Sequence, residues 1–150
     1  MIEDQVSPKR CGHTRGKQVV GRGEAKMRIR AAVDERAAHE ILIMARTDAC
    51  GVLGYDEALD RCKMFVDEGA DIIFLEAPET REEMERFCRA IPRPCMANMV
   101  SGGTTPVLPP RELAIVVNTG DDFDHLVAER VWQELQRALV ALQEEVSHHV

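Results

Sequence analysis

Short apolar runs that end in polar residues alternate along this chain with stretches of helical periodicity, and few folds accommodate such a pattern. Residues 41–47, Ile-Leu-Ile-Met-Ala-Arg-Thr, and 71–77, Asp-Ile-Ile-Phe-Leu-Glu-Ala, read as buried parallel strands whose last residues carry chemistry. Further strands are expected at 94–99 and at 114–118. Between them, 24–36 is rich in helix formers, and 56–68 places Leu59, Cys62, Phe65 and Val66 at helical spacing with Gly69 as a stop. Thr80, with Glu83 three residues on, matches a capping box ahead of Met84, Phe87, Cys88 and Ile91. Repeated β-α units imply parallel strands joined by right-handed crossovers, hence an α/β fold with function at the carboxyl ends of the strands.

A long amphipathic helix is expected at about 125–146, where Val127, Val131, Leu135, Leu139, Leu142 and Val146 share a face. Residues 101–110 hold two glycines, two threonines and three prolines and read as a loop over a strand end. No repeat, low-complexity tract or linker composition divides the sequence, so a single domain over 1–150 is the simplest organisation.

Composition excludes several function classes. At 45% hydrophobic and 30% charged residues the chain is ordinary for a soluble domain. A formal net charge of -7 repels the anionic surfaces of nucleic acid and membrane, so neither is expected as a partner. Small anionic substrates stay open, because local basic clusters override the net field. No apolar run reaches the roughly 18 residues of a membrane span, and no basic-then-apolar leader is present, which places the expectation in the cytoplasm.

Five cysteines, an odd number without a Cys-x-x-Cys pair, fit neither a disulfide framework nor structural zinc. Cys50, Cys62, Cys88 and Cys95 read as small core residues. Cys11 differs: it lies among Lys9, Arg10, Gly12 and His13 in a loop punctuated by proline and glycine, a setting suited to a reactive thiol.

Polar groups that bind carboxylates recur at successive strand ends: Glu3 and Asp4, Arg46 and Asp48, Glu76, Asn98. Each alone also fits a helix cap or a surface ion pair. Together with Ile2-Glu3-Asp4-Gln5, Pro8-Lys9-Arg10-Cys11-Gly12-His13, Ala45-Arg46-Thr47-Asp48-Ala49, Glu76-Ala77, Ala97-Asn98-Met99 and Thr105-Pro106, they resemble the isocitrate lyase / phosphoenolpyruvate mutase superfamily in order and spacing over residues 1–114. The likeness is to its 2-methylisocitrate lyase, dimethylmalate lyase, oxaloacetate hydrolase and carboxyphosphonoenolpyruvate phosphonomutase-like members. The cysteine of the Lys-Arg-Cys-Gly-His loop separates the chain from phosphoenolpyruvate mutase proper.

The resemblance implies a partial (β/α)₈ barrel, about strands 4 to 8, followed by a divergent strand-turn-helix at 115–150. It implies Cys11 as general acid or base on the carbon that becomes an enolate, tuned by Lys9 and His13, with Gly12 in the substrate loop. It further implies Glu3 as a carboxylate holding Mg²⁺ through water, Arg46 as a bidentate fork for a substrate carboxylate, Glu76 orienting a hydroxyl or water, and Asn98 donating to a carboxylate oxygen. The implied ligand is a small dicarboxylate. In the family, the main metal-binding aspartates, an early Ser-Gly loop and the first three strands precede the matched region. Where several lyases have Asn-x-Thr-Glu, this chain has Asn98-Met99-Val100-Ser101.

Residues 115–126, with Asn118-Thr119-Gly120-Asp121-Asp122, also resemble a short stretch of the phospholactate transferase family, although a capped strand-to-helix turn explains them as well. His148 and His149 read as a frayed end. A partial barrel exposes sheet edges and apolar helix faces, so a homo-oligomer or a partly open domain is expected. Two function classes follow: a Mg²⁺-dependent carbon–carbon lyase or hydrolase of a 2-hydroxy or 2-oxo dicarboxylate, with a phosphonomutase as its neighbour, or a non-catalytic remnant that serves as an assembly partner.

Overall fold

The computed structural model describes residues 1–11, 16–36, 39, 41–100, 102–109 and 112–113. The chain divides into a unit Met1–Val107 and a second, Leu108–Val150. The division falls inside the loop expected at 101–110, not at the change of pattern after residue 114. In the second unit, the described Glu112 and Leu113 N–H groups each donate to Pro109 O at 2.9 Å. The strand expected at 114–118 and the helix at about 125–146 lie outside the described residues.

In the first unit the elements run β1 (Ile2–Glu3), α1 (Arg22–Arg36), β2 (Met44–Thr47), α2 (Cys50–Leu53), α3 (Tyr55–Asp67), β3 (Ile72–Leu75), α4 (Arg81–Ala90) and β4 (Cys95–Met96). The strands form one parallel sheet in the order β1-β2-β3-β4. The α/β expectation therefore holds, and sequence-adjacent strands are also neighbours in space. One turn, α2, appears where no helix was expected.

The strands are shorter than the apolar runs that announce them. In the run 41–47 only 44–47 pairs, because Ile41 and Leu42 are exposed while burial begins at Ile43. Hydrophobicity there marks a segment entering the core, and ladder bonds start only where a neighbour lies alongside. Likewise 94–99 contracts to Cys95–Met96.

The helices follow their patterns closely. α3 buries Ala58, Leu59, Cys62 and Phe65 and ends as a Schellman motif: Gly69 N–H donates to Val66 O (2.9 Å) and Ala70 N–H to Phe65 O (3.1 Å). Gly69 sits at φ 90°, and a Cβ there would lie 3.1 Å from Val33 Cγ1, so the stop is set by both conformation and packing. α4 buries Met84, Phe87 and Cys88. Its cap is half of the expected box: Thr80 Oγ1 accepts from Glu83 N–H at 3.1 Å, but the Glu83 carboxylate accepts from Glu79 N–H rather than from Thr80.

The core consists of these helix faces against the sheet, with Ala45, Ile73 and Leu75 buried. By general experience, truncating a fully buried aromatic such as Phe65 costs about 3–5 kcal/mol. No disulfide joins the cysteines, and Cys50, Cys62 and Cys88 are buried as expected. Cys95 is only half-buried, since its strand carries the last rung of the described sheet. Among the described residues no helix is long and apolar enough to cross a membrane.

Candidate active site

Register and strand parity assemble the site. Glu3 lies opposite Arg46, Arg46 opposite Phe74, and Phe74 opposite Met96, so these residues form one cross-strand row on one face of the sheet. Two residues further on, the same parity gives Asp48, Glu76 and Asn98. Residues of opposite parity, Asp4 and Thr47, face the other way and are buried.

Arg46 is the centre of the face. Its guanidinium lies 5.0 Å from the centroid of the Phe74 ring. Nε and Nη2 donate to the two oxygens of Asp48 at 2.9 and 2.8 Å. Nε also lies 3.4 Å from Glu3 Oε2, and Nη1 lies 3.5 Å from Glu76 Oε2. Burial works to lower the pKa of Arg46, but hydrogen bonding and charge from Asp48, with the charges of Glu76 and Glu3, raise it above the ordinary arginine value. The edge expected to grip a substrate carboxylate is thus occupied by Asp48, a side chain of the same turn.

Two lysines complete the balance. Lys9 Nζ is 2.9 Å from Glu3 Oε1, and the buried Lys17 Nζ is 3.6 Å from Asp48 Oδ1. Three carboxylates, Glu3, Asp48 and Glu76, therefore meet three cations, Lys9, Lys17 and Arg46. Asn98 Nδ2 reaches Glu76 Oε1 at 3.4 Å. Beyond Glu76 the chain turns through Ala77 at φ 59°, an uncommon conformation for a residue with a Cβ, and Pro78 follows.

The loop after β1 is closed at its base. Val6 N–H donates to Gln18 O (2.9 Å), Val20 N–H donates to Asp4 O (2.8 Å), and Gln5 bridges to Val19 antiparallel. Inside, the Gln5 amide clamps Arg10, donating to its carbonyl and accepting from its N–H at 2.9 Å each. This arrangement projects Lys9 and an exposed Cys11 from a fixed stem. Gly12 and His13 lie outside the described residues.

Of the residues read from the sequence, Glu3, Lys9, Arg46, Glu76 and Asn98 are linked in one chain of contacts. Sequence reasoning missed Lys17 and Arg61. Arg61 carried a legible signal, a charge on the buried stripe of α3 between Ala58 and Phe65; Lys17 carried none.

The resemblance implies Mg²⁺ held through Glu3. Mg²⁺ takes about six oxygen ligands in octahedral geometry. Glu3 offers one carboxylate, already between Lys9 and Arg46, and no three of His, Cys, Asp or Glu gather as a metal-holding group among the described residues. These residues do not fit a Mg²⁺ site by themselves.

The phosphoenolpyruvate phosphomutase family model matches residues 1–118. The chain belongs to this family. It is similar to 2,3-dimethylmalate lyase of Eubacterium barkeri, 51% identical over 112 residues, 75% of this chain and 39% of that protein. It is also similar to a probable 2-methylisocitrate lyase of Corynebacterium glutamicum, 50% identical over 108 residues, 72% of this chain and 35% of that protein. A solved oxaloacetate acetylhydrolase, in complex with 3,3-difluorooxalacetate, superposes with a TM-score of 0.73 at 35% identity, covering 95% of this chain and 49% of that one. The superfamily resemblance is thereby established, and these relatives are named as lyases and a hydrolase. The chain spans less than half the length of each of them.

Proposed function

We propose that this chain carries the acid–base loop and the carboxylate-binding wall of a carbon–carbon lyase or hydrolase acting on a small 2-hydroxy or 2-oxo dicarboxylate. The supporting observation is the contact chain Glu3–Arg46–Glu76–Asn98 at successive strand ends, beside a stem-fixed loop bearing Lys9 and Cys11. In this reading the sheet is part of a (β/α)₈ wall, about strands 4 to 8, in one partial-barrel domain. The protein works in the cytoplasm as a homo-oligomer, without nucleic-acid or membrane partners.

Cleavage beside a carboxylate leaves an enolate, and a group that meets the developing charge lowers the barrier. Cys11 moves the proton at that carbon, with Lys9 and His13 holding charge near its thiol and Gly12 admitting the substrate. Arg46, held by Asp48 along its Nε–Nη2 edge, meets a substrate carboxylate through Nη1, which also faces Glu76. Glu76 orients a hydroxyl, and Asn98 donates to an oxygen. These roles need only the chain's own side chains. A magnesium ion at Glu3 requires oxygen ligands beyond those the described residues supply.

A second reading, a non-catalytic remnant or assembly partner, draws on a specific observation: Glu3 and Arg46 are already neutralised within the chain. A carboxyphosphonoenolpyruvate phosphonomutase-like reaction is the alternative within the enzyme class.

The test is release of pyruvate or glyoxylate by the purified chain with Mg²⁺, from methylisocitrate, dimethylmalate and oxaloacetate. Turnover abolished in Cys11→Ser supports the first reading. Turnover that survives that change intact overturns the role of Cys11, and a folded protein without turnover favours the remnant.

A further inference from the structure

Arg61 is the charged side chain that α3 turns toward the core, 3% exposed among Ala58, Cys62 and Phe65. Burying a guanidinium is costly unless its donors are met. Here two other segments and its own helix meet the Nη1 and Nε donors. Nη1 donates to Asp4 Oδ2 at 3.0 Å and to Val20 O at 2.8 Å, and Nε donates to Glu57 Oε1 at 2.9 Å.

Asp4, equally buried, passes the constraint on. Its Oδ1 accepts from Asp48 N–H at 2.9 Å, and its Oδ2 accepts from Thr47 Oγ1 at 2.7 Å. Thr47 Oγ1 in turn accepts from Ala49 N–H at 3.2 Å. The turn that presents Arg46 and Asp48 therefore hangs from Asp4. Asp4 also opens the stem of the loop that carries Lys9 and Cys11, and Val20 closes it.

We propose that Arg61 and Asp4 are a positioning pair that sets the placement of the Lys9–Cys11 loop relative to the Arg46–Asp48 fork, without touching the ligand. The proposal rests on the reading of the site given above. A pair serving stability alone is replaceable by apolar groups of similar volume at little cost. This pair has directional bonds to the Asp48 N–H and the Val20 carbonyl, and apolar groups cannot reproduce them.

The experiment follows the Arg46 Nε–H resonance in the full chain by ¹⁵N NMR, assigned by its loss in Arg46→Lys. The variants are Arg61→Met, Arg61→Lys and Asp4→Asn. Glu68→Gln is the control, since Glu68 is a buried carboxylate at the far end of α3 held by Lys26 and Arg30, away from the fork. Expected is a shifted, faster-exchanging Arg46 signal in Asp4→Asn and Arg61→Met, partial recovery in Arg61→Lys, and no change in Glu68→Gln even if its Tm falls as far. Where turnover exists, kcat falls about tenfold or more with KM less affected, as misplacement of reacting groups does.

An Arg46 signal identical to wild type in folded Asp4→Asn and Arg61→Met overturns the proposal. So does an equal change in Glu68→Gln. If Arg61→Met does not fold, the isosteric Asp4→Asn and the charge-retaining Arg61→Lys decide. A wild-type chain without turnover sinks the catalytic reading and leaves the NMR result standing separately.

Discussion

Asp48 takes both Nε and Nη2 of Arg46 in a two-bonded fork, at 2.9 and 2.8 Å, within a single turn of chain. A guanidinium held along one edge keeps a fixed plane, with Nη1 directed toward Glu76. Arg46→Lys retains the charge but not the plane. The expected result is loss of turnover or dicarboxylate binding by about 1.5–3 kcal/mol, the worth of charged hydrogen bonds, measured by calorimetry with oxalate. Unchanged affinity in the variant removes Arg46 from the site.

Ala77 turns the chain at φ 59° just after Glu76, and it is buried. A β-branched side chain cannot adopt that conformation without strain. Ala77→Val is expected to destabilise by about 2 kcal/mol or more, whereas Ala77→Gly stays within about 1 kcal/mol of wild type because relief of strain offsets added chain entropy. Urea unfolding of the two variants measures the difference, and equal midpoints contradict it.

Glu57 has its carboxyl held down to about 2 from 4.5, through its hydrogen bond to Arg22, against some burial, and then through that to Arg61. A lowered folded-state pKa means that the unfolded chain binds the proton more readily. The contribution is complete above pH 4.5 and is lost as pH falls from there toward 2. Glu57→Gln should therefore flatten the decline in unfolding midpoint over that window. A variant with the same acid slope as wild type contradicts the assignment.

Cys50 is pushed up to about 12, chiefly by burial, and burial raises Cys62 well above its ordinary value. Thiolate is the reactive form, so both should resist alkylation at pH 8 in the folded protein. The exposed Cys11 should be labelled first, as read by mass spectrometry of peptides, and Cys50 and Cys62 should react only in denaturant. Early labelling of Cys62 would show that α3 opens readily.

Period-2 and period-3.6 patterns are local properties, and they suffice to place α1, α3, α4, the strand cores and the polar strand ends Arg46, Glu76 and Asn98. Alternation in a strand forces residues two apart onto one face, so the polar ends of neighbouring strands were bound to converge once the strands paired in parallel. The Thr80 cap and the Gly69 stop were legible for the same reason, each needing only a few residues of chain. What the apolar runs overstated was strand length, since pairing depends on a neighbour and not on hydrophobicity.

The sequence by itself determined the alternation of elements, the family and the polar residues at the strand ends, but not Lys17 or Arg61. Only the tertiary structure decided how those residues spend their hydrogen bonds. Asp48 occupies the fork of Arg46, Lys17 closes on Asp48 from across the loop, and Arg61 reaches Asp4 over 57 residues of sequence. Such pairings depend on strand register and on which helix face meets the sheet, and no local pattern encodes the distance between two charges brought together by packing.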